Sequence, residues 1–233
     1  MNTILAITTS TPQVGVALGG GDGPIASVHV RQGRRHGELV APAIASLAQL
    51  AGVGLEAVEA VAVDVGPGLF TGLRVGVATA KALASALGIP LVACSSLELL
   101  GAPHARSGRP VAAVVDARRG EVFWALYRGV VAATEPAVAS PADLAEALAG
   151  VVAGSDGAGT APAVLATGDG AARYRDVLEA VAGVEVAGAG WEHPNAAVLA
   201  EMAAGRSPTP PGQLTPMYLR GADVRVGWAV RHG

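Results

Sequence analysis

The order of elements predicts an α/β protein of two duplicated lobes, each a mixed sheet flanked by helices. Three observations carry this. The succession of three strands, helix, strand, helix, strand, helix occurs twice along the 233 residues. Val58 to Val65 is apolar almost throughout, the pattern of a strand buried on both faces by helices. Hydrophobic residues make up 51% of the chain and aromatics only 3%, so Ala, Val and Leu must build the cores. The length suits one large domain or two small lobes.

Taken in order, Ile4 to Thr8 and Val14 to Leu18 read as strands about a turn at Pro12-Gln13, with Pro24 to Val30 as a third. From His36 to Leu50, the residues Leu39, Val40, Ala43, Ile44, Leu47 and Leu50 recur at helical spacing, and Gly52 and Gly54 stop the helix. After the apolar strand a helix runs from Phe70 to Leu87, ended by Gly88. Leu91 to Ala93 is a short strand, and Ser95 with Glu98 three residues on is a capping box for the next helix.

The second round begins with strands at Val111 to Val115, Glu121 to Tyr127 and Val130 to Thr134. A helix follows from Pro141 to Leu148, then a loop at 154–162 and a strand at Val164 to Ala166. Ala171 to Val181 is a helix, Val184 to Val186 a strand, and Pro194 to Ala204 the last helix. The tail carries Pro208, Pro210, Pro211 and Pro216 and should be extended. Residues 1–104 then form the first lobe, with 193–233 returning to it, and 105–192 form the second. Two such halves make up the actin-like, ribonuclease H-like fold.

Composition narrows the function. A net charge of -3 supplies no general field for nucleic acid, so any contact with RNA is local or made through a partner. Cys94 stands alone, which rules out a disulfide within the chain and fits a reducing cytoplasm. The start, MNTILAITTS, lacks the basic opening and apolar centre of a signal peptide. The uncharged run Ala82 to Leu97 is broken by Gly88 and Pro90 and falls short of the roughly 20 residues a membrane helix needs. Neither H-E-x-x-H nor G-x-S-x-G occurs, so metalloprotease and serine-hydrolase chemistry have no support.

The stretch DVGPGLFTGLRVGVATAKA, residues 64–82, carries the main candidates. Gly66 and Gly68, in a turn between strand and helix, could present backbone N–H groups to an anion. The turn is not a P-loop, since Lys81 lies inside the helix, nor a dinucleotide fingerprint, since Thr71 replaces the third glycine. Gly72, Gly76 and Ala80 lie four residues apart on one small face. Two glycines inside a helix cost about 1 kcal/mol each against Ala and call for compensation by close packing. That packing is either on the chain's own sheet or on a second subunit. Thr8 ends the first strand where actin-like ATPases normally carry a magnesium-binding Asp, and a hydroxyl is a poor substitute. Asp116, Arg118, Arg119 and Glu121, in DARRGEVF, read as a charged hairpin. His36 beside Glu38 reads as a lone exposed histidine.

ILAITTST, GPGLFTGLRVG, DARRGEVFWALY, TGDGAARY and PMYLR fall in order along almost the whole chain. Together they resemble the TsaB family, subunits of the bacterial system that installs threonylcarbamoyladenosine in tRNA. The resemblance implies a non-catalytic chain that pairs with the related, metal-bearing TsaD, with the ATPase TsaE in the same assembly and tRNA reached through the complex. It implies no cofactor of the chain's own, with ATP or ADP at a subunit joint. Relatives typically have Asp where Thr8 stands, which argues against nucleotide binding at Thr8, Gly66 and Gly68 by this chain alone. The expected association surface is the small face Gly72, Leu73, Gly76 and Ala80, with His36 and Leu39 from the preceding helix. The same surface would serve a homodimer. The competing reading is an autonomous ATP-dependent small-molecule kinase of the same fold.

Overall fold

The computed structural model describes residues 3–33, 35–154 and 163–219. Most of the loop expected at 154–162, and the segment after 219, lie outside the described residues. Strands β1 (Ile4–Thr8), β2 (Gln13–Gly20) and β3 (Gly23–Arg31) form an antiparallel meander. Helix α1 (His36–Ala51) crosses to β4 (Ala60–Asp64), and α2 (Phe70–Leu87) crosses from β4 to β5 (Leu91–Cys94). The sheet order is β3-β2-β1-β4-β5, with β4 parallel to both β1 and β5. Gly52 and Gly88 end the two helices in left-handed conformation, at φ 64° and 68°, where a side chain would be strained.

Alternation along β1 sorts the core into two layers. Leu5 and Ile7 face α1 and α2, packing with Val40, Ile44, Leu47 and Val77. Ile4 and Ala6 face the other way, onto Leu199, Ala200 and Ala203 of α7 (Ala196–Ala203). The last helix therefore covers the back of the first sheet, which is why the chain must return there after the second lobe. Small side chains on both contacting faces hold these layers close without aromatic residues.

The second sheet repeats the plan. Strands β6 (Pro110–Arg118) and β7 (Glu121–Arg128) form a long hairpin, extended by β8 (Val131–Ala132), with β9 (Ala137–Ala139) also pairing with β7. Parallel strands β10 (Val164–Thr167) and β11 (Val184–Val186) follow on the other side of β6. Leu144 and Leu148 of α4 (Pro141–Ala153) cover one face. Leu97 and Leu100 of α3 (Ser96–Gly101), a first-lobe helix, cover the other and tie the lobes together. The capping box of Ser95 and Glu98 is present, and Ser140 with Asp143 forms a second.

Two expectations need correction. The single helix Ala171 to Val181 is two short helices, α5 (Asp169–Arg173) and α6 (Arg175–Glu179), broken at Tyr174 (φ -111°). The strand Val130 to Thr134 shrinks to two residues, because β9 takes over pairing with the middle of β7. Leu214 is buried in the first core and anchors the proline-rich tail.

Candidate functional site

The motifs converge at the turn between β1 and β2, residues 9–12. Asp64, at the end of an apolar strand, is fully buried beneath it. Ser10 Oγ donates to Asp64 Oδ2, while Ser96 Oγ and the Gly66 N–H donate to Oδ1 at 2.6 and 2.9 Å. Burial pushes the carboxyl up to about 6 despite these three donors, and Glu98 adds to the effect. The aspartate thus holds the turn, the glycine loop and the start of α3 together.

This arrangement engages the loop's Gly66 and Leu69 N–H groups within the fold. The Gly66 N–H goes to Asp64, Pro67 has none, and the Leu69 N–H donates to Ser10 O at 2.7 Å. Gly66 has φ 98°, and a Cβ on Gly68 would strike the Ser10 carbonyl. Gly66 and Gly68 are therefore packing glycines beneath the turn, and the Gly66 N–H is already given to Asp64. Thr8 is buried, its hydroxyl 3.5 Å from the Gly15 and Pro194 carbonyls.

The small face of α2 turns inward as well. A Cβ on Gly72 would overlap the Thr9 carbonyl oxygen, and one on Gly76 would overlap Thr9 Oγ1. Thr9 Oγ1 in turn donates to the Gly72 carbonyl at 2.8 Å. Leu73 and Ala80 are buried in the same layer. Gly72, Leu73, Gly76 and Ala80 as an association surface is thus corrected: the close approach they permit is to the chain's own hairpin turn. His36, expected at the surface, is buried and donates from Nε2 to the Thr11 carbonyl at 2.7 Å. Leu39 is half-buried against the first core.

What α2 exposes is different. Phe70 is 49% exposed, Arg74 lies 3.8 Å over its ring, and the Tyr218 ring centroid is 5.3 Å from that of Phe70. Tyr218 is brought there by the tail, whose Met217 N–H donates to the Val65 carbonyl at 2.7 Å. The sequence places Tyr218 in the PMYLR motif of an extended tail but gives no sign that it meets Phe70, 148 positions earlier in the chain.

In the second lobe DARRGEVF forms the β6–β7 turn, with Arg118 and Arg119 at φ 63° and 55°. Asp116 is buried and pairs with Arg118 at 2.9 Å and Arg173 at 3.3 Å. Asp169, from TGDGAARY, accepts the Asp116 N–H at 2.9 Å, and burial pushes its carboxyl up to about 6. Asp116 is therefore the buried charge of this hairpin, while Arg118, Arg119 and Arg173 keep exposed side chains. Among the described residues no group of three His, Cys, Asp or Glu side chains is placed to hold a metal ion.

Fold and site together define an actin-like, two-lobed protein whose first hairpin is closed down by its own glycine helix and buried aspartate. The chain belongs to the TsaD family, described as tRNA N6-adenosine threonylcarbamoyltransferase, which matches residues 26–204. Its curated relatives include the tRNA threonylcarbamoyladenosine biosynthesis protein TsaB of Bacillus subtilis, 39% identical over 126 residues, covering 54% of this chain and 55% of that one. An uncharacterized Mycobacterium leprae protein is 40% identical over 159 residues, covering 66% of this chain and 44% of its own length. The chain thus spans about half the length of these curated relatives. A crystal structure from Pseudomonas aeruginosa, described as similar to the peptidase YeaZ, is 30% identical with a TM-score of 0.76. It covers 94% of this chain and all of that one.

Proposed function

We propose that the chain is a TsaB-type subunit of a cytoplasmic assembly that installs threonylcarbamoyladenosine in tRNA, pairing with a TsaD-like subunit that carries the chemistry. The observation that carries the reading is the self-satisfied β1–β2 turn. The Thr9 and Ser10 hydroxyls, the glycines beneath and the buried Asp64 carboxylate are engaged in internal packing, which suits a scaffold better than a phosphate-transferring centre. We place any ATP or ADP of the assembly at a joint between subunits, and contact with a TsaE-like ATPase and with tRNA in the complex as a whole.

The partner surface then moves to the outer side of α2, around Phe70, Arg74 and Tyr218. A few anchor residues, enriched in aromatic and arginine side chains, carry most of the binding energy at protein interfaces, and truncating one costs about 2 kcal/mol or more. The test is co-expression with a TsaD-like protein from the same organism, followed by gel filtration and a tRNA modification assay. Co-elution with modification only when both chains are present is expected, with association lost in Phe70→Ala/Arg74→Ala. Robust magnesium-dependent ATP turnover by the isolated chain would instead support the kinase reading. Self-association unaffected by the partner would support a homodimer.

A further inference from the structure

The chain passes between its lobes twice. It leaves the first lobe through α3, which runs on into the 3-10 segment Ala102–Ser107. It returns through the 3-10 segment Ala189–Trp191 and then α7. Two-lobed proteins commonly close by bending at such connections and by sliding of the helices packed there. What joins the two crossings to each other therefore decides whether the lobes can move.

At the first-lobe end the joint is ionic. Arg206, just past α7, donates from Nη2 to Glu98 Oε1 at 2.9 Å and from Nη1 to Oε2 at 3.3 Å. A two-pronged contact of this kind fixes orientation as well as distance. Nη1 also donates to the Ala93 carbonyl of β5 at 3.4 Å. Glu98 is itself held in place, because its Oε2 accepts the Ser95 N–H in the capping box of α3.

At the second-lobe end the joint is aromatic. The His104 and Trp191 rings meet edge to face, with centroids 4.8 Å apart and planes at 64°. That is a favoured geometry for ring pairs. Trp191 is fixed through its carbonyl, which accepts the Gly168 N–H at 3.1 Å and the Thr167 hydroxyl at 3.0 Å, at the end of β10. His104 Nε2 is buried with no hydrogen-bond partner among the described residues, so packing on Trp191 places the ring. Burial first, then Arg109, holds its pKa down, which suits an uncharged ring against the indole.

The two crossings thus run antiparallel and are joined at both ends, with one joint on each lobe. Each crossing also sits closely on a sheet. A Cβ on Gly101 of α3 would meet the Tyr127 ring at 3.1 Å, and Leu199 and Ala200 of α7 are buried on the first sheet. Neither joint suffices alone, since the ion pair is one-third exposed and screened by water. Two joints at opposite ends resist rotation as well as sliding.

We propose that Glu98–Arg206 and His104–Trp191 together lock the lobe junction, so that the chain carries its two lobes as one rigid body and does not open and close. The lock is independent of the partner assigned above.

The experiment is pulsed electron spin resonance on the full chain, with spin labels on Ser46→Cys in α1 and Ala149→Cys in α4, exposed positions on opposite lobes. Cys94 is buried and stays unlabelled. A single narrow distance distribution is expected in the parent. In Arg206→Gln/His104→Ala it should widen about twofold or split in two, as a freed hinge requires. Arg206 is changed instead of Glu98 so that the cap of α3 stays intact. A label pair within the second lobe, Ala132→Cys with Ala149→Cys, should stay narrow throughout, which separates hinge motion from loss of structure. A broad or split distribution between the lobes of the parent overturns the proposal. So does a double variant as narrow as the parent. Should the pair within the lobe also widen in the double variant, Arg206→Gln alone decides. A wider distribution between the lobes then upholds the lock, and an unchanged one overturns it.

Discussion

At Asp64 a carboxyl is fully buried, and the consequences are measurable. Burial raises its folded-state pKa from 3.8 to about 6. The folded chain therefore binds more protons than the unfolded one between these values. This carboxyl favours the fold most below about pH 4, and that contribution is lost as pH rises through about 6, an effect of roughly 3 kcal/mol in order of magnitude. Asp64→Asn keeps an acceptor for the Gly66 N–H, and the hydroxyls of Ser10 and Ser96 can turn to suit the amide. Melting temperatures across pH 4 to 8 should fall with rising pH in the parent and fall less in Asp64→Asn. Some slope should persist, because burial raises Asp169 in the same sense. An unchanged profile would show that Asp64 does not titrate in this window.

Gly76 makes the same point through shape. An added Cβ meets Thr9 Oγ1, which is already bonded to the Gly72 carbonyl. Gly76→Leu gains up to about 1 kcal/mol of helix propensity. It should lose more than it gains, because overpacking costs about 1 to 3 kcal/mol. The isolated chain should melt lower than the parent. A folded variant of raised melting temperature would return this face to the surface.

At the scale of elements, the tail behaves as a strap. The Thr209 N–H donates to the Leu91 carbonyl, Leu214 enters the first core, and the Met217 N–H donates to the Val65 carbonyl. Three separate contacts hold a segment with no helix or strand of its own. Leu214→Ala should cost about 2 to 5 kcal/mol, the range for emptying a buried leucine site. Truncation after Gly212 should cost at least as much, since it also removes the Met217 contact. Denaturant unfolding of both variants checks this, and unchanged midpoints would mean that the strap bears no load. Helix α3 has the opposite character. It is short and capped, and it serves both lobes, covering the second sheet with Leu97 and Leu100 while Ser96 reaches Asp64 in the first.

For the whole molecule, α2 turns its small residues onto the first lobe's own turn and leaves Phe70 and Arg74 on the outside. Phe70 and Arg74 contribute little to the interior, so Phe70→Ala/Arg74→Ala should leave the melting temperature nearly unchanged, within about 0.5 kcal/mol of stability. Association with a TsaD-like partner should nevertheless be lost. A variant that melts much lower than the parent would mark the cluster as structural. Among the described residues no helix is long and apolar enough to cross a membrane.

Much of this was legible before any coordinates. The period of apolar residues delimits α1, glycine stops end α1 and α2, and Ser95 with Glu98 announces a cap, because each signal acts within a few residues of itself. The duplicated order of elements was enough for the fold class, and the ordered motifs were enough for the family. The direction in which a face points was not legible. Gly72, Gly76 and Ala80 announce a close approach, but only the path of the hairpin makes Thr9 the group that approaches. Asp64 carried a usable signal, as a charge closing an apolar strand, yet its partners Ser10 and Ser96 lie 54 and 32 residues away. Local sequence determines which elements form because helix and strand hydrogen bonds are short in range. Which side chains meet is decided only when the sheets and the returning α7 are packed, since burial and charge depend on every segment that closes around them.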